Sequence, residues 1–375
     1  MKKELELYIH IPFCVRKCAY CDFLSGPADY EAQRSYKEAL IREIEHVESF
    51  ADSEVSSIFI GGGTPSVFSE QWMAEVLEKV YTHFTVRQDA EISIEANPGT
   101  VNLKKLAVYR QGGINSISFG CQSADNRELK MLGRIHTWEE FLESFSMARE
   151  AGFSNINVDL MSGLPGQSLQ SWEESLHKTA QLKPEHISAY SLIVEEGTPF
   201  ASQKLELPDE EEERNMYERT REILEDWGYH QYEISNYARP GRECRHNLGY
   251  WQRKEYLGLG LGSASLVGET RFSNTRNMEN YLNNSDSAAK IREEREILTV
   301  QEQMEEFMFL GLRMTEGISV ARFYEMFGIP LEQVYGKVLE KYKRMELLEE
   351  TGGYLRLTRR GISVSNPILA DFLLD

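Results

Sequence analysis

The stretch Cys14-Val-Arg-Lys-Cys18-Ala-Tyr20-Cys21 places three cysteines at C-x3-C-x2-C spacing near the start of the chain. They stand out because 375 residues contain only five cysteines. Thiolates this close together converge on one metal centre, and a set of four would close the coordination shell of a zinc ion or an iron–sulfur cluster. Three thiolates on a cubane cluster leave one iron open, so that a small molecule can bind there against Tyr20.

Two other interpretations of three neighbouring cysteines exist. A structural zinc site of the Cys3His type would take His10 as its fourth ligand, although zinc ligands usually come as two separated C-x2-C pairs. A disulfide is disfavoured, because the number of cysteines is odd and the sequence shows no signal peptide. We therefore expect a metal centre in this loop.

The composition limits the classes of partner. With 60 acidic and 41 basic residues, the formal net charge is −19, and a surface this acidic repels phosphate backbones. Nucleic acid is therefore not an expected partner. No apolar run approaches the ~20 residues of a membrane span. We expect a cytoplasmic protein of two or three domains, and the sequence makes no prediction of its oligomeric state.

The first 195 residues alternate strand and helix patterns six times. Six such units in succession predict a parallel sheet, either as a partial barrel or as a doubly wound sheet. Each predicted strand alternates or concentrates apolar residues, and a helical pattern follows it. The predicted strands are Leu5–Ile11, Val55–Ile60, Glu91–Glu95, Ser116–Gly120, Asn155–Leu160 and His186–Leu192.

Polar groups follow these strands at their carboxyl ends. Their placement discriminates between a partial barrel and a doubly wound sheet. The groups are the cysteine loop, the run from Gly61 to Pro65, Glu95, Gln122 and Asp159. In a barrel these ends form one rim, where active sites are built, whereas a doubly wound sheet gathers only residues near one switch point. We therefore predict a partial (β/α)6 TIM-like barrel in an α/β protein. The glycine run would let backbone approach a ligand, or would serve only as a tight turn.

Together these motifs resemble the radical S-adenosylmethionine (SAM) family, in the branch of oxygen-independent coproporphyrinogen III oxidase and its relatives. In that family the C-x3-C-x-aromatic-C loop holds a [4Fe–4S] cluster whose fourth iron chelates SAM, which implies that Cys14, Cys18 and Cys21 are cluster ligands. The resemblance extends over essentially the whole chain. The residues that match SAM contacts of the family are Tyr8, Tyr20, Gly62, Gly63, Thr64, Glu95, Gln122, Arg134 and Asp159.

Three features indicate which member of the branch the chain resembles. Phe23 stands where the oxidase has a further cysteine, and Cys14 leaves no room for the extension that precedes the cluster in the oxidase. The segment His246-Asn-Leu-Gly-Tyr250-Trp251 matches the H-N-x-x-Y-W pattern of the related haem chaperones. The resemblance therefore implies a haem chaperone that passes haem to apo-haem proteins, with respiratory proteins at the membrane as the implied acceptors. The alternative is coproporphyrinogen III oxidation in porphyrin biosynthesis, so the sequence leaves open whether the protein is an enzyme.

The chemistry of this segment suits haem. A histidine can be an axial ligand of haem iron, and Tyr250 and Trp251 offer flat faces to a macrocycle. A lone histidine is also often structural, so His246 has both interpretations, and Cys244 is a rival ligand. A local basic run would pair with the two propionates and consists of Arg239, Arg242 and Arg245.

The sequence divides into three predicted domains. Residues 1–195 form the barrel, and residues 196–290 extend it and carry the haem motif. Residues 291–375 contain helical patterns and a hairpin with Gly352-Gly353 at its turn, which resemble a winged helix. Because the net charge argues against DNA binding, we expect this last domain to act as a lid or to dock a partner.

Overall fold

The computed structural model describes residues 2–48 and 50–374. Residues 1, 49 and 375, which include both outer ends of the predicted domains, lie outside the described residues. Among the described residues, no helix is long and apolar enough to cross a membrane.

The six β/α units predicted from the sequence are present. Their strands are adjacent and parallel in chain order. The strands are β1 Lys3–Ile11, β2 Ser53–Gly62, β3 Val86–Ala96, β4 Ser116–Gln122, β5 Ile156–Ser162 and β6 His186–Ser191. The helices are α1 Tyr30–His46, α2 Glu70–His83, α3 Leu103–Gln111, α4 Asn126–Met131, α5 Trp138–Glu150 and α6 Leu169–Gln181.

Polar N-caps fix the starts of these helices. Thr137 and Glu140 form a full capping box on α5, and the Ser168 side chain accepts a hydrogen bond from Ser171 N–H at the start of α6. Each cap satisfies backbone N–H groups that have no partner within the helix. The caps therefore set where each helix follows its strand.

The sheet is open and extends beyond the six parallel strands on both edges. Its order is β12-β11-β10-β9-β1-β2-β3-β4-β5-β6-β8-β7. The added strands are β7 His230–Gln231, β8 Asn236–Ala238, β9 Tyr256–Leu259, β10 Ala264–Val267, β11 Thr270–Asn274 and β12 Arg292–Ile297, and the accompanying helices are α7 Glu210–Asp226, α8 Arg245–Trp251, α9 Met278–Asn284 and α10 Ala288–Ile291.

The position of β12 bears on the predicted domain division. Because β12 pairs with β11, the large sheet continues past the boundary placed at 290/291. The boundary at 195/196 stays a prediction.

The C-terminal domain has its own small sheet, in the order β13-β15-β14, and its own hydrophobic core. The hairpin between β14 and β15 turns at Gly352 and Gly353, which both have positive φ. The elements are α11 Val300–Gly311, β13 Ile318–Ser319, α12 Val320–Phe327, α13 Leu331–Arg344, β14 Leu348–Thr351, β15 Tyr354–Leu357, α14 Arg359–Ser363 and α15 Ser365–Ala370.

The two faces of the large sheet differ in polarity. In β1, Leu5, Leu7 and Ile9 lie on one face and are fully buried in the main core. Tyr8, which stands between Leu7 and Ile9, lies on the opposite face. The interior face of the neighbouring strands carries Glu95 and Asp159, because side chains alternate along a strand. The apolar face holds the helices, and the polar interior face forms the site.

Candidate cofactor site

A cavity opens at the carboxyl ends of the parallel strands. All three cysteines of the loop line it, so the structure brings the predicted cluster ligands together at the predicted rim. Of the nine predicted SAM contacts, Tyr8 and Gly62 are the two that do not line this cavity. The other seven line it, namely Tyr20, Gly63, Thr64, Glu95, Gln122, Arg134 and Asp159.

The cysteines are free thiols on a loop that is tied to the backbone at its start. Cys14 N–H donates to Gly26 O at 3.0 Å, and Cys14 is buried. Burial raises the pKa of the Cys14 and Cys21 thiols, and the neighbouring cysteines raise it further. A cationic centre would remove this penalty by holding all three groups as thiolates. The donor set therefore fits an iron–sulfur cluster.

His10 has no free ring nitrogen for a zinc ion. Its Nε2 lies 3.0 Å from Leu24 O and its Nδ1 lies 3.0 Å from the Tyr8 hydroxyl. Because a carbonyl only accepts, Nε2 carries the proton and Nδ1 accepts from Tyr8. In residues 2–48 and 50–374, no group of three or more His, Cys, Asp or Glu side chains is placed so that it could hold a single metal ion. The geometry gives no support to the Cys3His alternative.

The glycine run allows the end of β2 to pack against the cysteine loop. A Cβ atom on Gly62 would lie 2.5 Å from the His10 ring, and one on Gly63 would lie 2.5 Å from Phe13 O. Gly62 also has a φ of 115°. Its N–H donates to Glu95 Oε2 at 3.0 Å. These glycines are therefore required for close approach of backbone, beyond the needs of a turn.

Two partly buried carboxyl groups, those of Glu95 and Asp159, line the cavity. Burial, together with the charge of Asp159, raises the pKa of Glu95 to about 7. Burial also raises the pKa of Asp159, although its carboxylate accepts hydrogen bonds from Asn157 Nδ2 at 2.7 Å and Ser118 Oγ at 3.1 Å. A ligand that carries an ammonium group and hydroxyl groups would stabilise both carboxylates.

Gln122 reaches the cavity through an irregularity in the sheet. The register between β4 and β5 shifts at Gly120 and Gln122, and Gln122 has a φ of 72°. A left-handed conformation in a residue other than glycine costs of order 1 kcal/mol and is common at ligand sites. The bulge turns this side chain into the cavity.

Arg134 and Asn97 form a network behind the cluster loop. The Arg134 guanidinium is buried, donates to Cys18 Sγ at 3.4 Å, and also donates to Gly120 O and Asn97 Oδ1. Asn97 Nδ2 in turn donates to Thr64 Oγ1 at 2.7 Å. Asn97 is not among the site residues predicted from the sequence. The sequence feature that could have indicated Asn97 is its position two residues after Glu95, directly after the end of β3.

A second network supports the cysteine loop from α1. Tyr36 donates to His10 O at 2.7 Å and accepts from Leu261 N–H at 3.0 Å. The fully buried Glu43 carboxylate accepts from Gly260 N–H at 2.8 Å and from the Tyr281 hydroxyl at 2.6 Å. Helix α1 is therefore hydrogen bonded both to the end of β1 and to the segment that contains Gly260 and Leu261.

The predicted haem residues do not form one open site. His246 is 1% exposed, with Nδ1 2.9 Å from Ser57 Oγ and Nε2 3.0 Å from the Tyr250 hydroxyl. Trp251 lies elsewhere, with the Arg313 guanidinium 4.7 Å from its ring centroid. Ligation by His246 therefore stays a prediction, and it requires the imidazole to leave its partners.

Cys244, the alternative haem ligand, and two of the three arginines in the basic run already make contacts within the protein. The Cys244 thiol donates to Glu91 Oε1 at 3.4 Å. Arg239 lies over the Tyr229 ring, and Arg245 donates to Asp89 O. Arg242 is exposed at a second cavity, which Glu91, Asn157 and His186 also line.

Comparison with known proteins identifies the family. The Radical SAM superfamily model matches residues 8–179, and the HemN C-terminal domain model matches residues 298–364. The heme chaperone HemW of Bacillus subtilis is 38% identical over 98% of this chain and 98% of its own length. The chain belongs to the HemW family of radical SAM proteins.

Other similarities agree with HemW membership. The heme chaperone HemW of Escherichia coli is 36% identical over 99% of this chain and 98% of its own length. The solved structure of HemN, the coproporphyrinogen III oxidase of E. coli, superposes with a TM-score of 0.87 at 24% identity and covers 99% of this chain and 90% of that one. The HemN likeness shows the shared fold, and the full-length HemW matches confirm the predicted branch.

Proposed function

We propose that the protein is a haem chaperone, which binds haem, a [4Fe–4S] cluster and SAM and delivers haem to apo-haem proteins. The observation that carries this proposal is the full-length similarity to the heme chaperone HemW of B. subtilis, at 38% identity. A cytoplasmic location and respiratory acceptors at the membrane are parts of the same proposal.

The rim residues have separate roles in holding the cofactors. Cys14, Cys18 and Cys21 would hold the cluster, which supplies one-electron chemistry when bound. Arg134 donates to Cys18 Sγ and so positions that ligand. Glu95 is suited to an ammonium group of SAM, and Asp159 is suited to ribose hydroxyls, because both are partly buried acceptors whose pKa values are raised by burial and which a cation or hydroxyl donors would stabilise as carboxylates.

The oxidase alternative has weaker support. The structural similarity to HemN, at 24% sequence identity, supports the shared fold and does not support the oxidase activity. The Phe23 side chain, where the oxidase has a cysteine, is 61% exposed at the cavity.

The proposal is tested by haem titration of the anaerobically reconstituted protein, followed by the Soret absorbance. We expect saturable one-to-one binding that His246→Ala weakens, whereas His46→Ala, which removes an exposed histidine at the end of α1, leaves it unchanged. Absence of saturable binding in the wild type would overturn the chaperone. Conversion of coproporphyrinogen III under reducing conditions would establish the oxidase instead.

A further inference from the structure

The haem motif is closed in this structure. Haem iron needs a ring nitrogen with a free lone pair, and both nitrogens of His246 are hydrogen bonded, Nδ1 to Ser57 of β2 and Nε2 to Tyr250 of α8 itself. The imidazole is also stacked on Phe59, with ring centroids 5.3 Å apart. Since His246 lies on α8 and Ser57 lies on β2, movement of α8 away from the sheet frees Nδ1 of His246.

Helix α8 is fastened to the interior of the large sheet at its start and its middle. Glu91 of β3 accepts from Arg245 N–H at 3.2 Å and from His246 N–H at 3.3 Å. Gly249 lies so close to β1 that a Cβ atom on it would be 2.0 Å from Glu6 Oε1. The helix therefore rests directly on the carboxyl groups of two strands.

The end of α8 is fastened to the C-terminal domain. Arg313, just after α11, places its guanidinium over the Trp251 ring. Arg253, two residues past α8, forms an ion pair with Glu306 of α11 at 2.8 Å, and both side chains are almost fully buried. The same C-terminal domain therefore contacts both Trp251, the last residue of the motif, and Arg253, two residues beyond the helix.

The docked state of α8 also leaves buried polar atoms without partners. Among the described residues, Glu6 Oε2, Trp251 Nε1 and Arg253 Nη2 are buried and make no hydrogen bond. Such groups are rare in folded proteins and each one costs free energy. These three atoms lie on or beside α8, so release of the helix would let water satisfy them.

We propose that α8 is a latch: His246 becomes available to haem iron only when α8 leaves the interior of the sheet, and the C-terminal domain holds the latch closed through Arg313 and Arg253. This inference rests on the proposed haem site at His246. It assigns the C-terminal domain the control of haem loading, through its contacts with α8.

The test is the rate of haem association measured by stopped flow, anaerobically and with haem in excess. If α8 must open before haem binds, the association rate reaches a plateau at high haem concentration, because opening of the helix then limits the rate. Arg313→Gln should raise that plateau roughly two- to tenfold, which is the size expected for loss of one cation–π contact. Arg313→Lys keeps a cation over the ring, so its plateau rate should lie between those of the wild type and Arg313→Gln. Arg359→Gln, at an exposed arginine of the same domain, should leave the plateau rate unchanged.

A second measurement reports on the helix without haem. Hydrogen exchange at residues 245–251 should accelerate in Arg313→Gln and stay unchanged in Arg359→Gln. If Arg313→Gln fails to fold, Gly249→Ala replaces it, because its methyl group collides with Glu6 and should give faster exchange and a higher plateau.

The outcomes separate this inference from the proposed function. A rate that rises linearly with haem in every variant, together with unchanged exchange, overturns the latch while the observed binding still supports the chaperone. No haem binding in the wild type overturns the proposed function itself. A higher plateau together with faster exchange supports both.

Discussion

The Arg134 Nη1 atom lies 3.4 Å from Cys18 Sγ, inside the cavity that all three loop cysteines line. The other terminal nitrogen of this guanidinium donates to Asn97 Oδ1 and Gly120 O. One buried cation thus joins a cluster ligand to the ends of two strands, and it places a positive charge beside the cysteine loop.

Arg134→Lys is expected to lower the reduction potential of the reconstituted cluster by roughly 50 mV, the equivalent of about one hydrogen bond. An N–H donor and a positive charge next to a ligand sulfur favour the more negative, reduced state, and lysine lacks the planar fork that reaches three acceptors. The measurement is a redox titration followed by EPR. Arg127→Lys, at an exposed arginine paired with Asp125, is the matched control. An unchanged potential in Arg134→Lys would contradict the assigned contact.

Asn97→Ala is expected to weaken SAM binding by roughly 10-fold or more, since it removes the contacts that hold Thr64 and Arg134 in place. The iron and sulfide content should remain that of the wild type, because the cysteines are untouched. Calorimetric titration of the reconstituted protein with SAM measures the effect. Asn283→Ala, at an exposed asparagine, serves as control. Equal affinities in the two variants would show that Asn97 has no positioning role.

Glu95 predicts a pH dependence of stability in the metal-free protein. Burial raises its pKa from 4.5 to about 7, so the folded state binds more protons than the unfolded state between these values. Stability therefore falls as the pH rises from about 4.5 to about 7, by roughly 3 kcal/mol in total. Urea unfolding across this range should show that Glu95→Gln lacks this component. Parallel pH profiles of variant and wild type would exclude it.

Glu43→Ala is expected to destabilise the protein by roughly 3 kcal/mol, because it leaves several buried donors without an acceptor. These donors belong to Gly260, Asn274 and Tyr281. Urea unfolding measures the loss, with Glu38→Ala as the control at a more exposed position of the same helix. A loss no larger than that of the control would mean that this network adds little to stability.

The rim could be predicted from the sequence because its signals are local. Each strand pattern ends at a polar residue, and parallel strands bring such ends together, so Glu95 and Asp159 were placed without any structure. The same rule applied two residues further on would have selected Asn97. The four edge strands beyond β1 were missed because β9 is only Tyr256–Leu259 and its pairing with β1 depends on contacts distant in sequence.

The state of the haem motif lies beyond sequence reasoning for a different reason. His246 has one partner within its own helix, Tyr250, and another on β2, Ser57. No spacing along the chain reveals the second contact, and without it a ligand and a buried structural histidine have the same pattern. Trp251 is similar, because Arg313 is its neighbour only after the C-terminal domain has docked.

The pairing of β1 with both β2 and β9 has a consequence for biosynthesis. During translation the cysteine loop leaves the ribosome well before β9 and the backbone N–H groups of Gly260 and Leu261. Until then, β1 has one edge without β9, and Tyr36 and Glu43 lack the N–H donors of that segment. Cluster insertion is therefore expected to follow the synthesis of β9 and of the segment that contains Gly260 and Leu261.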